Sequence, residues 1–352
     1  MRAAQCENCG QLVFFENSLC LNCKSPLGFD VPTLEVVTLI GERADAVRCA
    51  NLEVASCNWL VEQDGEEYCL SCRMTTVRPG DDDPEGLVRY RAAETAKRRV
   101  IRQLLTLGFP VDETTLDFKL KNSSVEPVMT GHADGTVTLD LAESDDARRV
   151  ALREQLGEPY RTLVGHFRHE LGHYYQDILL GTEQKWEHSR AMFGDERESY
   201  QDALDRHYEQ GPPADWPDNF VSAYATMHPW EDWAETFAHY LHIRAVLETA
   251  ADFGVSVEGP SAVNPDGEND EFEASPQFGA SDRSFDEIWS DWLPLTYALN
   301  QINRAMGKDD LYPFHLAQPA VDKLTFMHLL VRSMKNEQEL EQTAQAASGD
   351  GD

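Results

Sequence analysis

A chain of 352 residues is long enough for one large domain or two moderate ones with a real core. Its formal charge of −32, from 62 acids against 30 Lys and Arg, argues against a nucleic-acid partner, because phosphate backbones are bound by releasing counterions to basic side chains. Hydrophobic content is 41%, and no apolar run approaches the ~20 residues that span a bilayer. The opening MRAAQCENCG has no apolar signal-peptide core, so the expected location is the cytoplasm.

All eight cysteines fall between residues 6 and 72 and sort into two fours. Cys6, Cys9, Cys20 and Cys23 form two C-x2-C knuckles, each a short turn that aims two thiolates at one tetrahedral ion. Cys49, Cys57, Cys69 and Cys72 contain one tight knuckle and one looser pair. A second four-cysteine zinc site is the expectation, since every remaining cysteine is used and a reducing cytoplasm disfavours disulfides. So small a segment has little core, and the metals would supply much of its folding free energy. Docking of a protein partner on these ribbons and a purely scaffolding role are both open.

The stretch Arg78-Pro79-Gly80-Asp81-Asp82-Asp83-Pro84 reads as a domain boundary. A helix is predicted over about 88–107, stopped by Gly108 and Pro110. Alternating stretches Thr115–Leu120 and Thr136–Leu141 predict strands, the second following an Asp134-Gly135 turn. By analogy with zinc peptidases of the zincin type, either could be the edge strand that pairs with a substrate backbone. Asp145, Asp146 and Arg148 are expected to open another helix, separated from the next by Gly157-Glu158-Pro159.

The stretch HFRHELGHYYQ follows, and the chemistry is concentrated there. His169-Glu170-Leu171-Gly172-His173 places two imidazoles at i and i+4, on one helix face and about one turn apart, where both reach one metal. Glu170, next to the first ligand, is the candidate general base on a metal-activated water. Leu163, Phe167, Leu171, Tyr174 and Ile178 supply apolar positions at helical spacing. His166 lies about 10 Å along the axis from His173, too far for one ion to take both. It reads as a supporting or packing residue.

Two histidines need a third protein ligand to make a catalytic zinc site with one open position. The metzincin continuation fails, because Gln176 and Leu179 stand where Gly and His would be needed. The segment His228-Pro-Trp-Glu231-Asp-Trp-Ala-Glu235-Thr-Phe-Ala-His239-Tyr-Leu-His242 predicts a mostly buried helix, with Pro229 in its first turn. Glu231 and Glu235 lie on one polar stripe of that helix, and a glutamate on a second helix is the third ligand of gluzincins. Asp195 or Glu196, before another helix, could steady a ligand histidine. Residues 254–284 read as a mobile acidic loop, and Phe285–Met306 returns to helical spacing. The end, 336–352, reads as a flexible acidic tail.

CENCG and CLNCK, CNWLV and CLSCR, VMTGHADG, LGEPYRTLVGHFRHELGHYYQ, FGDERESY, FVSAYATMHPWEDWAETFAHYLHI and DLYPFHL together resemble the bacterial zinc-binding metallopeptidases whose N-terminus carries a zinc ribbon. The resemblance spans most of the chain. Glu235-Thr-Phe-Ala looks like the E-F-F-A segment of other short zincins, and the N-E-x-x-x-D helix of thermolysin-like gluzincins is absent. Motif, depth in the helix and resemblance together favour Glu235 over Glu231.

The resulting expectation is an α+β protein. A double zinc-ribbon module occupies 1–80, and a mostly helical zincin-like domain with a small sheet occupies 85–335. One catalytic and two structural zinc ions are expected, with a peptide or protein as substrate and no nucleic acid or membrane as partner. The expected reaction is zinc-dependent hydrolysis of a peptide or related amide. His169, His173 and Glu235 are the ligands, Glu170 the base, and His228 and Tyr224 the candidates to stabilise the oxyanion. The alternative is a zinc-ribbon interaction protein carrying an inactive zincin domain.

Overall fold

The computed structural model describes residues 3–63, 65–125, 127–144, 162–259, 262–263, 269–270, 273–277 and 283–349. The helix expected from Asp145 onward lies outside them. The described chain is α+β and mostly helical, with small sheets, and divides into two compact units.

The first unit begins with the cysteine-bearing segment. Strands β1 (Ala3–Gln5) and β2 (Leu12–Phe14) form one antiparallel hairpin. Strands β3 (Leu27–Asp30) and β4 (Glu35–Thr38) form a second. Phe15, Phe29 and Trp59 pack edge-on and tilted, with centroids 4.7–6.4 Å apart, and make a small core between the cysteine sites. Two one-turn helices follow, α1 (Leu52–Ala55) and α2 (Leu70–Arg73). Strand β5 (Thr75–Val77) comes directly after the second cysteine set.

Helix α3 (Pro84–Leu107) extends four residues earlier than periodicity predicts, because Pro84 suits a first turn. Gly108, at φ +82°, ends it in the left-handed region where a side chain would be strained. Next come β6 (Asp117–Lys121), β7 (Gly131–Ala133) and β8 (Thr136–Asp140). Asp134 and Gly135 both have positive φ, +49° and +80°, as a two-residue hairpin of type I′ requires. A Cβ at Gly135 would meet the Thr115 carbonyl oxygen at 2.1 Å, so only glycine fits.

The sheet order is β5-β6-β8-β7, with β5, β6 and β8 parallel and β7 antiparallel. This corrects the expectation that β6 or β8 could be an edge strand. Both are interior, and the edges are β5 and β7. The turn at 78–84 separates ribbon from helix along the chain, yet β5 ties the ribbon segment into this sheet. Helix α4 (Leu163–Leu180) carries the HExxH stretch. Phe118 of β6 receives Phe167 of α4 at 5.8 Å and the Lys97 ammonium of α3 at 5.1 Å, so both helices cover the same face of the sheet.

The second unit, from Tyr175 onward with the short stretch Leu107–Phe109, is built of helices. They are α5 (Glu183–Phe193), α6 (Tyr200–Gln210), α7 (Pro229–Asp252), α8 (Phe285–Ala305) and α9 (Gln318–Gly349). Helix α7 buries Trp233, Phe237, Tyr240 and Leu241 completely, as a helix apolar on most sides must. Phe109, Tyr175 and Phe237 stack within 6 Å of one another. Two stretches read from the sequence as loop and tail carry secondary structure. The loop at 254–284 contains short antiparallel pairs, Val257–Glu258 with Glu273–Ala274 and Ala262–Val263 with Asn269–Asp270. The stretch after 336 continues α9 to Gly349, since its Glu, Gln and Ala are good helix formers.

A polar chain ties α7 to α9 through the second unit's core. Arg244 Nη1 donates to the Tyr240 hydroxyl (2.9 Å), which faces His328 Nδ1 (3.1 Å), and His328 Nε2 donates to the Arg283 carbonyl (3.0 Å). Burial lowers the His328 imidazole to about 4, against the pull of that carbonyl. The folded chain therefore refuses a proton that the unfolded chain accepts near 6.5. Stability from this residue is complete above pH 6.5 and declines as pH falls towards 4. Urea midpoints across that window should fall less steeply in His328→Gln than in the parent; equal slopes would remove His328 as the cause.

Candidate metal centres

Three groups of side chains converge as metal donors among the described residues. The first is Cys6, Cys9, Cys20 and Cys23, and the second is Cys49, Cys57, Cys69 and Cys72, as spacing predicts. Sulfur–sulfur distances are 3.5 Å for Cys6–Cys23, 3.7 Å for Cys9–Cys20 and 3.6 Å for Cys57–Cys69. A tetrahedral ion with metal–sulfur bonds of about 2.3 Å sets its sulfurs about 3.8 Å apart, whereas a disulfide needs about 2.05 Å. The donors therefore fit zinc and exclude disulfides. The Cys69 backbone N–H points at Cys49 Sγ (3.4 Å), and hydrogen bonding to Ser25 pulls the Cys23 thiol down to about 5.

The third group is His169, His173 and Glu231, whose candidate donor atoms lie within 4.8 Å of one another. The two imidazoles stand nearly perpendicular, with centroids 4.9 Å apart, one turn apart on α4. Glu231 sits in the first turn of α7 and is only 2% exposed. A carboxylate that buried is costly unless hydrogen bonds or a cation compensate it. Tyr200 Oη donates to its Oε1 at 2.8 Å. Two imidazoles and a carboxylate are a donor set that suits zinc with a position left open.

Glu235, the ligand expected from the sequence, is not in that group. Glu235 lies one turn further along α7, is half-buried, and accepts a hydrogen bond from Ser222 Oγ (2.6 Å). In the first turn of α7 Glu231 and Asp232 are buried and Pro229 and Trp230 half-buried, so depth along the helix does not by itself favour Glu235. An acid there also complements the helix dipole. His228, the expected oxyanion group, has both ring nitrogens engaged. It is the N-cap of α7: its Nδ1 accepts from the Trp230 N–H (3.1 Å) and its Nε2 donates to the Glu198 carbonyl (3.1 Å). Both ring nitrogens hold backbone, which leaves no donor for an oxyanion.

Glu170 lies on α4, 8% exposed. Tyr224 is half-buried in the short 3-10 turn Tyr224–Thr226, with its ring 6.0 Å from that of His207. His166 Nδ1 pairs with the Glu143 carboxylate. Asp195 and Glu196 hold the guanidiniums of Arg197 and Arg190 (2.7 and 2.8 Å) rather than a histidine. His239 Nδ1 meets the Tyr312 hydroxyl at 2.6 Å. Spacing gives no reason to single out Tyr200. Only the FGDERESY segment as a whole marks it.

A family model described as "Putative zinc-binding metallo-peptidase" matches residues 86–330, and a zinc-ribbon domain model matches residues 3–83. Proteins from Mycobacterium bovis and from two strains of Mycobacterium tuberculosis, each named only as an uncharacterized protein, are 47% identical over 339 residues. The alignments cover 94% of this chain and 95% of each relative. No solved structure matches. Among the described residues no helix is long and apolar enough to cross a membrane.

Proposed function

We propose, from the premise that this chain belongs to the zinc-binding metallo-peptidase family with an N-terminal zinc ribbon, that it hydrolyses peptide or related amide bonds. The observation that carries the reading is the convergence of His169, His173 and Glu231, with Glu170 next to the first of them. His169, His173 and Glu231 would hold a zinc ion there, and the chemistry it would supply is a more acidic water and a polarised carbonyl. Glu170 takes the water's proton on a carboxylate oxygen and delivers it to the leaving amine. Tyr200, through its bond to Oε1, fixes the rotation of the Glu231 carboxylate. One zinc at this centre and one in each cysteine set make three per chain.

Strand β7 supports an extended substrate. It is an antiparallel edge of the sheet, and its His132 ring lies 5.9 Å from that of Tyr174, the residue after His173. The Tyr174 hydroxyl is fixed at 2.8 Å from Thr115 Oγ1. An edge strand offers backbone donors and acceptors to a peptide laid beside it. Gly131 leaves open space where a side chain would begin.

The test is metal analysis of dialysed protein together with hydrolysis of a peptide library. The parent is expected to hold about three zinc per chain, Glu231→Ala about two, and Glu235→Ala about three. Loss of the third zinc in Glu235→Ala alone would move the ligand there. A parent that carries all its zinc and cleaves no library member would replace hydrolysis with the interaction-protein reading.

A further inference from the structure

The two cysteine sites have the same ligands and different surroundings. In the first, Cys9 is exposed and Cys23 half-buried. The cation bonded to its second knuckle, Lys24 Nζ to the Leu21 carbonyl (2.8 Å), is at the surface, where solvent screens it. In the second, all four sulfurs are buried, with Cys57 and Cys69 at 0% exposure.

A zinc ion with four thiolates carries a net charge of about −2, and burying that charge is expensive unless other groups offset it. Helix α3 brings two buried cations. Lys97, fully buried, donates from Nζ to the Ser71 carbonyl (2.8 Å), inside the Cys69–Cys72 turn. Arg98 donates from Nη2 to the carbonyls of Ala55 (2.8 Å) and Ser56 (3.3 Å), the two residues before Cys57. Glu94 is shared between the two cations, at 2.8 Å from Lys97 Nζ and 3.6 Å from Arg98 Nη1. The cluster thus keeps one net positive charge against the thiolates. It also holds both ligand-bearing turns against α3. Strand β5 starts three residues after Cys72 and pairs with β6, so the same turn fixes the edge of the main sheet.

We propose that the second four-cysteine site is a structural zinc of the sheet-and-α3 core, clamped by Lys97 and Arg98, whereas the first is an exchangeable zinc that leaves without unfolding that core. The first site is then where oxidants, competing thiols or metal-accepting partners act. Its loss alters the β1–β2 end of the molecule and spares the sheet.

The experiment uses the full chain treated with an organomercurial, with zinc release followed by a chromophoric chelator and secondary structure by circular dichroism. Two thiol-dependent phases are expected. The faster releases one zinc with helical signal unchanged, and it disappears in Cys9→Ser. The slower coincides with loss of that signal. Arg98→Met should speed the slower phase by about 10- to 100-fold, the usual effect of removing a group that supports metal ligands. Arg98→Lys should recover part of the difference. Both zinc ions leaving in one phase in the parent would overturn the proposal, whatever the variants do. A slower phase unchanged in a folded Arg98→Met would overturn the clamp.

Discussion

Glu170→Gln is expected to keep all of the chain's zinc and to lower peptide hydrolysis by at least ~10²-fold, the lower bound for a positioned acid–base group. The amide has nearly the shape of the carboxylate, so α4 and the two imidazoles on it stay where they are. What disappears is an oxygen able to take a proton. Metal content therefore separates this variant from Glu231→Ala, in which a donor atom is removed. Measuring kcat and KM separately sharpens the test, because a lost base lowers kcat and leaves substrate binding intact. A Glu170→Gln enzyme as fast as the parent would take the base away from Glu170 and leave the zinc ligands untouched.

How much of this was legible in the sequence depended on whether the signal was local. The cysteine knuckles and the histidine pair are set by spacing along one turn or one helix, and the structure gathers them as spacing requires. The Asp134-Gly135 turn was legible for the same reason, because only that chemistry suits two positive φ values in succession. That Glu231, and not Glu235, would lie beside the two imidazoles was not legible, since both are on one stripe and spacing says nothing of what surrounds each turn of α7. The capping role of His228 was not legible, because a histidine before Pro-Trp-Glu looks like chemistry. A side chain that accepts from the N–H two residues on is a cap, and histidine does this as serine or aspartate would. The strand order was hidden as well. Nothing in T-V-T-L-D-L shows that β6 will pair on one side of β8 and β7 on the other, or that β5, from the cysteine segment, will close the far edge.

Lys323→Met is expected to cost little stability at pH 5 and about 2 kcal/mol at pH 8.5, at about 1.4 kcal/mol for each pH unit over which the parent's buried carboxyl is ionised and the variant's is not. Lys323 Nζ, on α9, donates to Asp232 Oδ2 (2.6 Å) and to the Asn219 carbonyl (3.0 Å), and stands 4.3 Å from the centre of the Phe220 ring. Asp232 is fully buried in the first turn of α7, beside Glu231. Burial pushes its carboxyl up to about 7, although the lysine pulls the other way. A raised carboxyl contributes stability that is complete below the unfolded value, near 4, and is lost as pH rises towards 7. Without the lysine the carboxyl rises further, so the variant goes on losing stability above pH 7, where the parent has levelled. The difference in urea-unfolding free energy between parent and Lys323→Met should therefore be small at pH 5 and large at pH 8.5. Asp232→Asn in the same chain should recover much of it, because the amide carries no charge to compensate. A loss that is the same at both pH values would show that Lys323 acts by packing against Phe220 and not by its charge.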